Sequence, residues 1–438
     1  MISMLVMAVL LLAGTTFLTI SSTEYQIAIN EQASARSFEL ADMGMQRAMA
    51  QLSANPAYTQ ESNVPLSVGL PGNRTTLGTV TIMVSASTRV AAIDYSGQQC
   101  PIRDVTVTAA VPVQGGSSTT QLRATVDGVT QPFRWGLYGQ TVSIEGVGGP
   151  SLLDSYDSGV GGYSSGTNGG GQFDLAASLG ITLLDTIYSG NIYSQNASTS
   201  PSVGTWVGGS QATPPPPMAP DPGPFAADYV VPDNYVPAET DPPLAPGSYN
   251  SITVGNSSVI KLATGTYNLN ISATNCSYPA FQGGPVGFNI SNFSLCLGNG
   301  AKVLSTGPVT IFARGNVSAA DNSKIGGQSQ FSGSGDVLTG IPAQTMNIMM
   351  TPMIPGWAGI SYFSASNFSF FGTLYAPNTD VILSGNSLVL GSMIGRTVSN
   401  LFGPQSQLTY HFDRALKNQN FCTPRFTLRP GTWEEVVP

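Results

Sequence analysis

The stretch DSYDSGVGG, which begins at Asp154, is the part of the chain whose side chains could bind a cation. Asp154 and Asp157 supply two carboxylates, and the glycines that follow allow a tight loop whose carbonyls could join them. Such oxygens are the ligands that Ca²⁺ prefers. Asp154 and Asp157 are therefore the candidate calcium ligands of this chain, with Asp174 as a further candidate. The alternative is that these residues only build Asx turns.

Groups that could perform acid–base or nucleophilic chemistry are scarce. The only histidine, His411, lies in the alternating segment LTYHFD, which is typical of a strand with a packed or edge histidine. A carbohydrate-cleaving enzyme would need convergent acids. Residues 247–416 contain no glutamate and four aspartates, which are Asp321, Asp336, Asp380 and Asp413. There is no Cys–His cluster and no glycine-rich nucleotide loop, so we expect neither an enzyme nor a resident cofactor.

The four cysteines show no metal-binding spacing and allow three pairings. They are Cys100, Cys276, Cys296 and Cys422. If the protein is exported, Cys276 and Cys296 are the candidate disulfide. Buried free thiols are the alternative.

The charge content narrows the class of partner. Only 9% of the residues are charged and the net charge is -8, whereas an average soluble domain has about 25% charged residues. Phosphate binding needs clustered Lys and Arg, so nucleic acid is not an expected partner. Abundant Ser, Thr, Asn and Gln must keep the surface wet, as is common on exported β-proteins.

The chain begins with an uncharged run whose length suits a membrane. The first charged residue is Glu24, and ~20 helical residues cross the ~30 Å hydrocarbon core of a bilayer. A removed secretory signal peptide is the alternative. The predicted membrane-spanning residues are Ile2, Leu5, Leu10, Leu11, Leu12, Phe17, Leu18 and Ile20.

A helical pattern continues beyond the apolar run. Apolar residues recur at spacings of three and four, and Asn55-Pro56 then stops the helix. The residues expected to pack on a sheet are Phe38, Ala41, Gly44, Met45, Ala48 and Leu52. Residues 1–55 thus predict one helix, half in lipid. The acids after the span favour a single-pass inner-membrane protein with an extracytoplasmic body.

The remainder of the chain predicts a mainly β protein. Residues 56–135 alternate with period two and predict a small antiparallel sheet packed on the helix. Residues 136–212 predict the glycine-rich start of a β-body, with a helix conceivable only at 173–184. Strand–turn units in residues 247–416 predict a β-solenoid, with a β-sandwich as the alternative.

Two segments are expected to lie outside this packing. Residues 213–246 contain 12 prolines and predict an extended strap or linker. Residues 417–438 are expected to form a C-terminal tail.

The helix resembles the N-terminus of PilX-type pilus-assembly proteins, the type IV pilin-like family. In that family an apolar span leads into a helix that ends in an A-F-x-x-A-E-A-G-L-like stretch. Phe38, Ala41 and Gly44 match this stretch, and Asp42 stands where the family has Glu. The segments DSYDS at 154–158 and FGTLYAP at 371–377 resemble the β-rich C-terminal region found on PilX-like bacterial surface proteins.

The resemblance implies a minor pilin or pilus-associated surface component that acts in type IV pilus assembly or adhesion. The expected partners are the cytoplasmic membrane, other pilins or pilus-assembly proteins, and a surface glycan or a host or abiotic surface. The protein would reach the pilus or cell surface. The alternative is an anchored extracytoplasmic protein that binds or cleaves carbohydrate on a β-solenoid.

Overall fold

The computed structural model divides the chain into two compact units, Met1–Thr130 with Phe421–Pro438, and Gln131–Asn420. The residues that it describes are 2–55, 57–68, 75–92, 99–113, 116–130, 132–146, 149–161, 163, 169, 173–188, 190–200, 205–208, 225–272, 276, 292–331, 345–350, 361–418, 421–429 and 431–436.

The first unit contains the long helix α1, Ile2–Ala54. No proline interrupts the chain before Pro56, and the residue before a proline is disfavoured in helical geometry, which explains where α1 ends. The side chain of Asn55 then accepts a hydrogen bond from the Ala57 amide at 3.0 Å. The chain thereby leaves the helix in a short turn.

Six antiparallel strands pack beside α1 in the order β1-β2-β3-β4-β25, and β26 also pairs with β4. Their bounds are β1 Gln60–Val68, β2 Thr75–Ala86, β3 Ile102–Val113, β4 Gly116–Thr130, β25 Phe421–Leu428 and β26 Glu434–Val436. The predicted C-terminal tail at 417–438 thus contains two strands, at 421–428 and 434–436. Those residues pair with β4, because this strand would otherwise leave its backbone donors and acceptors open.

The helix and this sheet bury one continuous apolar core. Val80, Ile82, Val105, Val107 and Val126 are fully buried on the side of the sheet that α1 covers. On the helix, Ala41, Gly44, Met45, Ala48 and Leu52 are buried, and Phe38 is partly buried against the same cluster. The period of 3.6 on the helix and of 2 on the strands places both apolar faces in contact.

The second unit contains a large, mostly parallel sheet of 20 strands. Its strands are β5 Leu137–Glu145, β6 Ser151–Tyr156, β7 Leu175–Leu184, β8 Thr186–Tyr188, β9 Asn191–Ser194, β10 Ala197–Ser200, β11 Thr205–Gly208, β12 Tyr229–Val231, β13 Gly247–Tyr249, β14 Ile252–Val254, β15 Val259–Leu262, β16 Gly265–Leu269, β17 Phe293–Leu297, β18 Lys302–Ser305, β19 Val309–Ala313, β20 Asn316–Ala319, β21 Lys324–Gly327, β22 Met346–Met350, β23 Ser361–Ser366 and β24 Ser369–Asp413. Short 3₁₀ helices lie at Pro132–Arg134, Gln328–Phe331 and Arg414–Asn418.

From β14 to β20, each strand pairs in parallel with the strand three places later in the chain. This register places apolar side chains above one another in successive levels of paired strands. One buried row of such side chains runs through five levels. The row consists of Val254, Leu297, Ala319, Ala365 and Leu383. Parallel stacking of this kind is how solenoid coils share a core, whereas a sandwich is built from antiparallel strands. The mainly β class with one long N-terminal helix and an antiparallel sheet is confirmed.

The order of the levels differs from the order of the chain. The long strand β24 bends repeatedly, and its last part pairs in parallel with β5 and β6. The stack then continues from β5 to β7 and from β7 to β9 and β10. The described strands of residues 137–200 thus continue the stack beyond β24, which is the last strand of this unit in sequence order. Residues 136–212 and 247–416 therefore contribute to one body.

For two segments the structure decides between alternatives that the sequence left open. Residues 175–184 form strand β7, because parallel pairing with β5 on one side and β9 and β10 on the other outweighs the weak helical pattern. In the proline-rich segment, β12 pairs with β14, and bridges join Ala226 to Tyr249 and Leu244 to Leu262. Its described part, 225–246, is thus hydrogen-bonded onto the first coils and is not a separate linker.

The second unit contains a disulfide between Cys276 and Cys296, which are 20 residues apart in sequence. Of the two, Cys296 belongs to β17. Both residues are buried and form a small cluster with Phe293. In the first unit Cys100 is also disulfide-bonded. The Cys276–Cys296 bond therefore joins a residue outside the strands to β17.

Replacing Gly44 by leucine should destabilise the first unit by about 1–3 kcal/mol, because an overpacked core must shift side chains and backbone. A Cβ at Gly44 would lie 2.6 Å from Val107 Cγ1. Urea unfolding of the full chain in detergent measures the effect. Gly14→Leu is the matched control, since a Cβ at Gly14 meets nothing within 4 Å. Equal midpoints for the two variants would contradict this packing.

Removing the disulfide with the double substitution Cys276→Ala/Cys296→Ala should lower the free energy of unfolding of the second unit by about 3 kcal/mol, because the unfolded chain gains loop entropy. The variant leaves the disulfide of Cys100 in place. Chemical denaturation without reductant measures the change. An unchanged midpoint would show that this bond contributes nothing to the second unit.

Candidate functional site

The N-terminal half of α1 exposes an unusually large apolar surface. The side chains that are more than half exposed include Met4, Val6, Met7, Val9, Leu10, Leu11, Leu12, Phe17, Leu18, Ile20 and Ile27. Within the first unit the apolar core begins only at Ala33. A contiguous apolar surface of this size marks an interaction with a membrane or with other proteins. The side chains of Ile2 and Leu5 lie outside the described residues.

The threonine hydroxyl groups in this half of the helix donate to carbonyls of the helix itself. Thr15 and Thr16 both donate to the carbonyl of Leu12, at 2.9 and 2.8 Å. Thr19 donates to the Thr15 carbonyl, and Thr23 donates to the Thr19 carbonyl. Lipid offers no water to satisfy polar groups, so such internal bonds allow a helix with threonines to enter hydrocarbon.

In the described part of the chain, α1 is the one helix that is long and apolar enough to cross a membrane. Its most apolar stretch is wholly exposed within the structure, which separates it from the core helix of a soluble protein. A signal sequence meets the same criteria of length and composition. The exposed apolar half of α1 fits a single-pass membrane anchor.

Where α1 lies on the sheet, an ion pair ties it to β1. The Arg47 guanidinium donates to both carboxylate oxygens of Glu61, at 2.7 and 2.8 Å. This hydrogen bonding lowers the pKa of Glu61. The hydroxyl of Tyr58 donates to the same carboxylate, and burial, followed by the charge of Glu61, raises the pKa of Tyr58 to about 12. Arg47, Glu61 and Tyr58 thus form a hydrogen-bonded network that joins the C-terminal part of α1 to β1.

The predicted calcium ligand Asp154 lies in a buried polar cluster of the second unit. Its Oδ1 accepts a hydrogen bond from Nδ1 of His411, and its Oδ2 accepts one from the Tyr163 hydroxyl at 3.0 Å. The Tyr163 ring stacks on the His411 ring, with centroids 3.7 Å apart. Burial and the charge of Asp154 raise the pKa of Tyr163 to about 12. Both carboxylate oxygens of Asp154 are thus engaged by side chains of the protein, one by His411 and the other by Tyr163.

The predicted partner Asp157 has a different local role. Its Oδ1 accepts the Gly159 amide at 3.0 Å, which is an Asx turn. No group of three or more His, Cys, Asp or Glu side chains that could hold a metal ion occurs among the described residues. The geometry favours the turn alternative, and calcium binding by Asp154 and Asp157 stays a prediction.

Two described acids of the parallel body, Asp380 and Asp413, are engaged by neighbouring groups of the protein. Asp380 accepts hydrogen bonds from Arg396 at 2.8 and 2.5 Å and from Thr397 at 2.7 Å. Asp413 is fully buried and accepts the amides of Ser158 and Ala415. Asp336 lies outside the described residues. These carboxylates hold strands and turns together.

The cluster around His411 could not be found by sequence reasoning. Asp154 and His411 are 257 residues apart, and parallel pairing of β24 with β6 puts them in direct register. Both lie in short alternating segments, which indicate strands but not which strand is the neighbour. The aromatic side chains of Phe363, Phe368 and Phe370 are fully buried and form part of the core of the second unit.

Residues 292–419 match the family model described as a domain of unknown function, DUF7305. No curated protein matches the chain in sequence. Among solved structures, the chain is similar to an ice-binding protein DUF3494 domain from Shewanella frigidimarina, with 15% identity, coverage of 64% of this chain and 94% of that one, and a TM-score of 0.22. It is also similar to the competence-associated pilin ComZ from Thermus thermophilus, with 12% identity, coverage of 92% and 98%, and a TM-score of 0.22. At these TM-scores neither likeness assigns a function.

Millimolar Ca²⁺ should leave the thermal midpoint of the full chain unchanged, because the Asp154 oxygens are already engaged by His411 and Tyr163. Asp154→Ala should cost about 1–3 kcal/mol with or without calcium, since it removes the acceptor of a buried imidazole. Melting curves of both proteins, with Ca²⁺ or with chelator, measure this. A rise with Ca²⁺ that vanishes in Asp154→Ala would establish the calcium site.

Proposed function

We propose that the chain is a membrane-anchored, pilin-like protein that acts as a minor pilin or pilus-associated surface component. The carrying observation is one 53-residue helix that is apolar and exposed over its first half and buried under an antiparallel sheet over its second. In this proposal the β-rich body lies outside the cytoplasmic membrane and reaches the pilus or the cell surface.

The physical argument concerns the two environments of α1. A helix with an exposed apolar half must find lipid or other apolar helices, because ~25 cal/mol for each Å² of apolar surface drives it out of water. The second half is fixed to the sheet by the core around Met45 and Leu52. One helix can therefore hold the body at the membrane before assembly and pack among other helices afterwards. The likeness of Phe38, Ala41 and Gly44 to the PilX-type stretch supports this reading.

We propose a structural and interaction role and no catalytic one. Among the described acids of the parallel body, Asp380 is bound to Arg396 and Thr397, and Asp413 is bound to backbone amides. Partners in this role are the membrane, other pilins or pilus-assembly proteins, and a glycan or solid surface. The net charge of -8 does not favour nucleic acid.

One observation favours an anchored carbohydrate-binding protein as the second candidate. Register places hydroxyl residues side by side across four neighbouring parallel strands, at Ser399, Ser143, Thr182 and Ser198. Such strands lie ~4.8 Å apart, so the row is regular. Sugars offer many hydroxyls as hydrogen-bond partners. This candidate keeps the anchor and places the function on the body.

Fractionation of cells separates the two candidates. The full chain should co-purify with sheared pili if it is a pilus component, whereas an anchored carbohydrate-binding protein should stay with washed membranes and bind polysaccharide. Recovery of the chain only in the membrane fraction, together with polysaccharide binding that falls in Ser143→Ala/Thr182→Ala, would contradict the pilin-like proposal.

Placing two lysines in the apolar run, as Leu11→Lys/Leu12→Lys, should remove the chain from the membrane fraction, because each charge at a bilayer centre costs about 3 kcal/mol. The measurement is the share of full chain that resists carbonate extraction. Thr88→Lys/Val90→Lys is the matched control, since both residues are exposed and lie outside α1. Membrane retention of the Leu11/Leu12 variant equal to that of the control would refute anchoring by this helix.

A further inference from the structure

An open groove of about 610 Å³ lies in the first unit, between α1 and the C-terminal residues of the chain. Phe38 forms its apolar side, and the ring of Trp433 packs edge-on against Phe38 at 5.5 Å. Trp433 itself is 43% exposed. The groove is lined by Glu31, Ser34, Ala35, Phe38, Glu39 and Glu435.

Three carboxylates from two elements meet at this groove. Glu31 and Glu39 come from α1, and Glu435 comes from β26. Within the described residues none of their side chains has a hydrogen bond or ion pair. The three carboxylates lie around Phe38 and repel one another, so a positively charged group is the complementary occupant of the groove. An arginine suits it best, because a guanidinium pairs with carboxylates and stacks on aromatic rings.

The same helix presents such a cation on another side. Arg36 is exposed and has no ion pair among the described residues. With ~100° of rotation per residue, Arg36 lies roughly 100–160° around the helix from Glu31, Ser34, Ala35 and Phe38, and about 60° from Glu39. With ~1.5 Å of rise per residue, it lies within about 8 Å in height of both Glu31 and Glu39. One copy therefore carries the cation and the groove on different sides at the same level.

The membrane matches these levels between copies. The apolar run before Glu24 holds every copy at one depth, so Arg36 of one anchored copy stands at the height of the groove of the next. No vertical shift of the helices is needed for contact. The two surfaces differ from each other, so their contact is heterologous and leaves a free groove on one copy and a free Arg36 on the other.

We propose that this groove is the docking site for Arg36 of a second copy of the chain. The inference rests on the proposed function, in which anchored helices come together, and names the contact that would join them. Repetition of the contact builds a row or ring of copies, because each addition leaves both surfaces available.

The test uses two full-length copies with different affinity tags, co-expressed and extracted from membranes in mild detergent. The fraction of one copy retained by the tag of the other is measured. When both copies carry Arg36→Glu, retention should fall about tenfold, because an attraction becomes a repulsion. When every copy carries both Arg36→Glu and Glu39→Arg, retention should return, since only the exchanged charges then meet.

Arg89→Glu is the matched control, since it makes the same charge change at an exposed residue outside α1. It should leave retention unchanged. Unchanged retention with Arg36→Glu, or no recovery in the double variant, overturns the proposal. Glu39→Arg in both copies should also lower retention, and unchanged retention there overturns the proposal as well. Membrane fractionation of each variant separates these outcomes from a failure of anchoring, which would instead contradict the proposed function.

Discussion

The constraint on which the first unit depends is that one uninterrupted helix serves two environments. Its second half is buried by Val80, Val107 and their neighbours in the antiparallel sheet. Its first half presents leucine, phenylalanine and methionine outward. The side chains decide this division, because the backbone hydrogen bonds of a helix are satisfied in water, protein and lipid alike. The sheet, its closing strands β25 and β26, and the Arg47–Glu61 pair all hold the buried half in place.

The second unit obeys a different constraint, which is that a single coil is too thin to bury its own core. Parallel pairing between successive levels solves this, as in the row from Val254 to Leu383. The levels formed by residues 137–200 join the stack beside β24, which comes much later in the chain. Contacts of such long sequence separation bring Asp154 to His411 and place Asn400 beside Glu145. The polar groups at these junctions therefore act as structural ties.

Local patterns made some elements predictable. The spacing from Phe38 to Leu52 indicated both a helix and the face that it buries, and alternation at Thr79–Val84 indicated a strand of the antiparallel sheet. The parallel stack was also indicated by its strand–turn rhythm. The pairing of residues 175–184 and 421–428 could not be predicted, because it is decided by partner strands that are distant in sequence. Asp154 and Asp157 looked like joint ligands because their spacing is local, yet each side chain is engaged separately.

The sequence by itself determined the long helix, its apolar first half and the mainly β class, because these depend on periodicity and composition along short stretches of chain. Only the tertiary structure decided which strands are neighbours, where the C-terminal residues pair and which acids are already engaged. It also decided that Glu31, Glu39 and Glu435 meet at one groove. Such groupings depend on long-range register, and a one-dimensional pattern does not contain it.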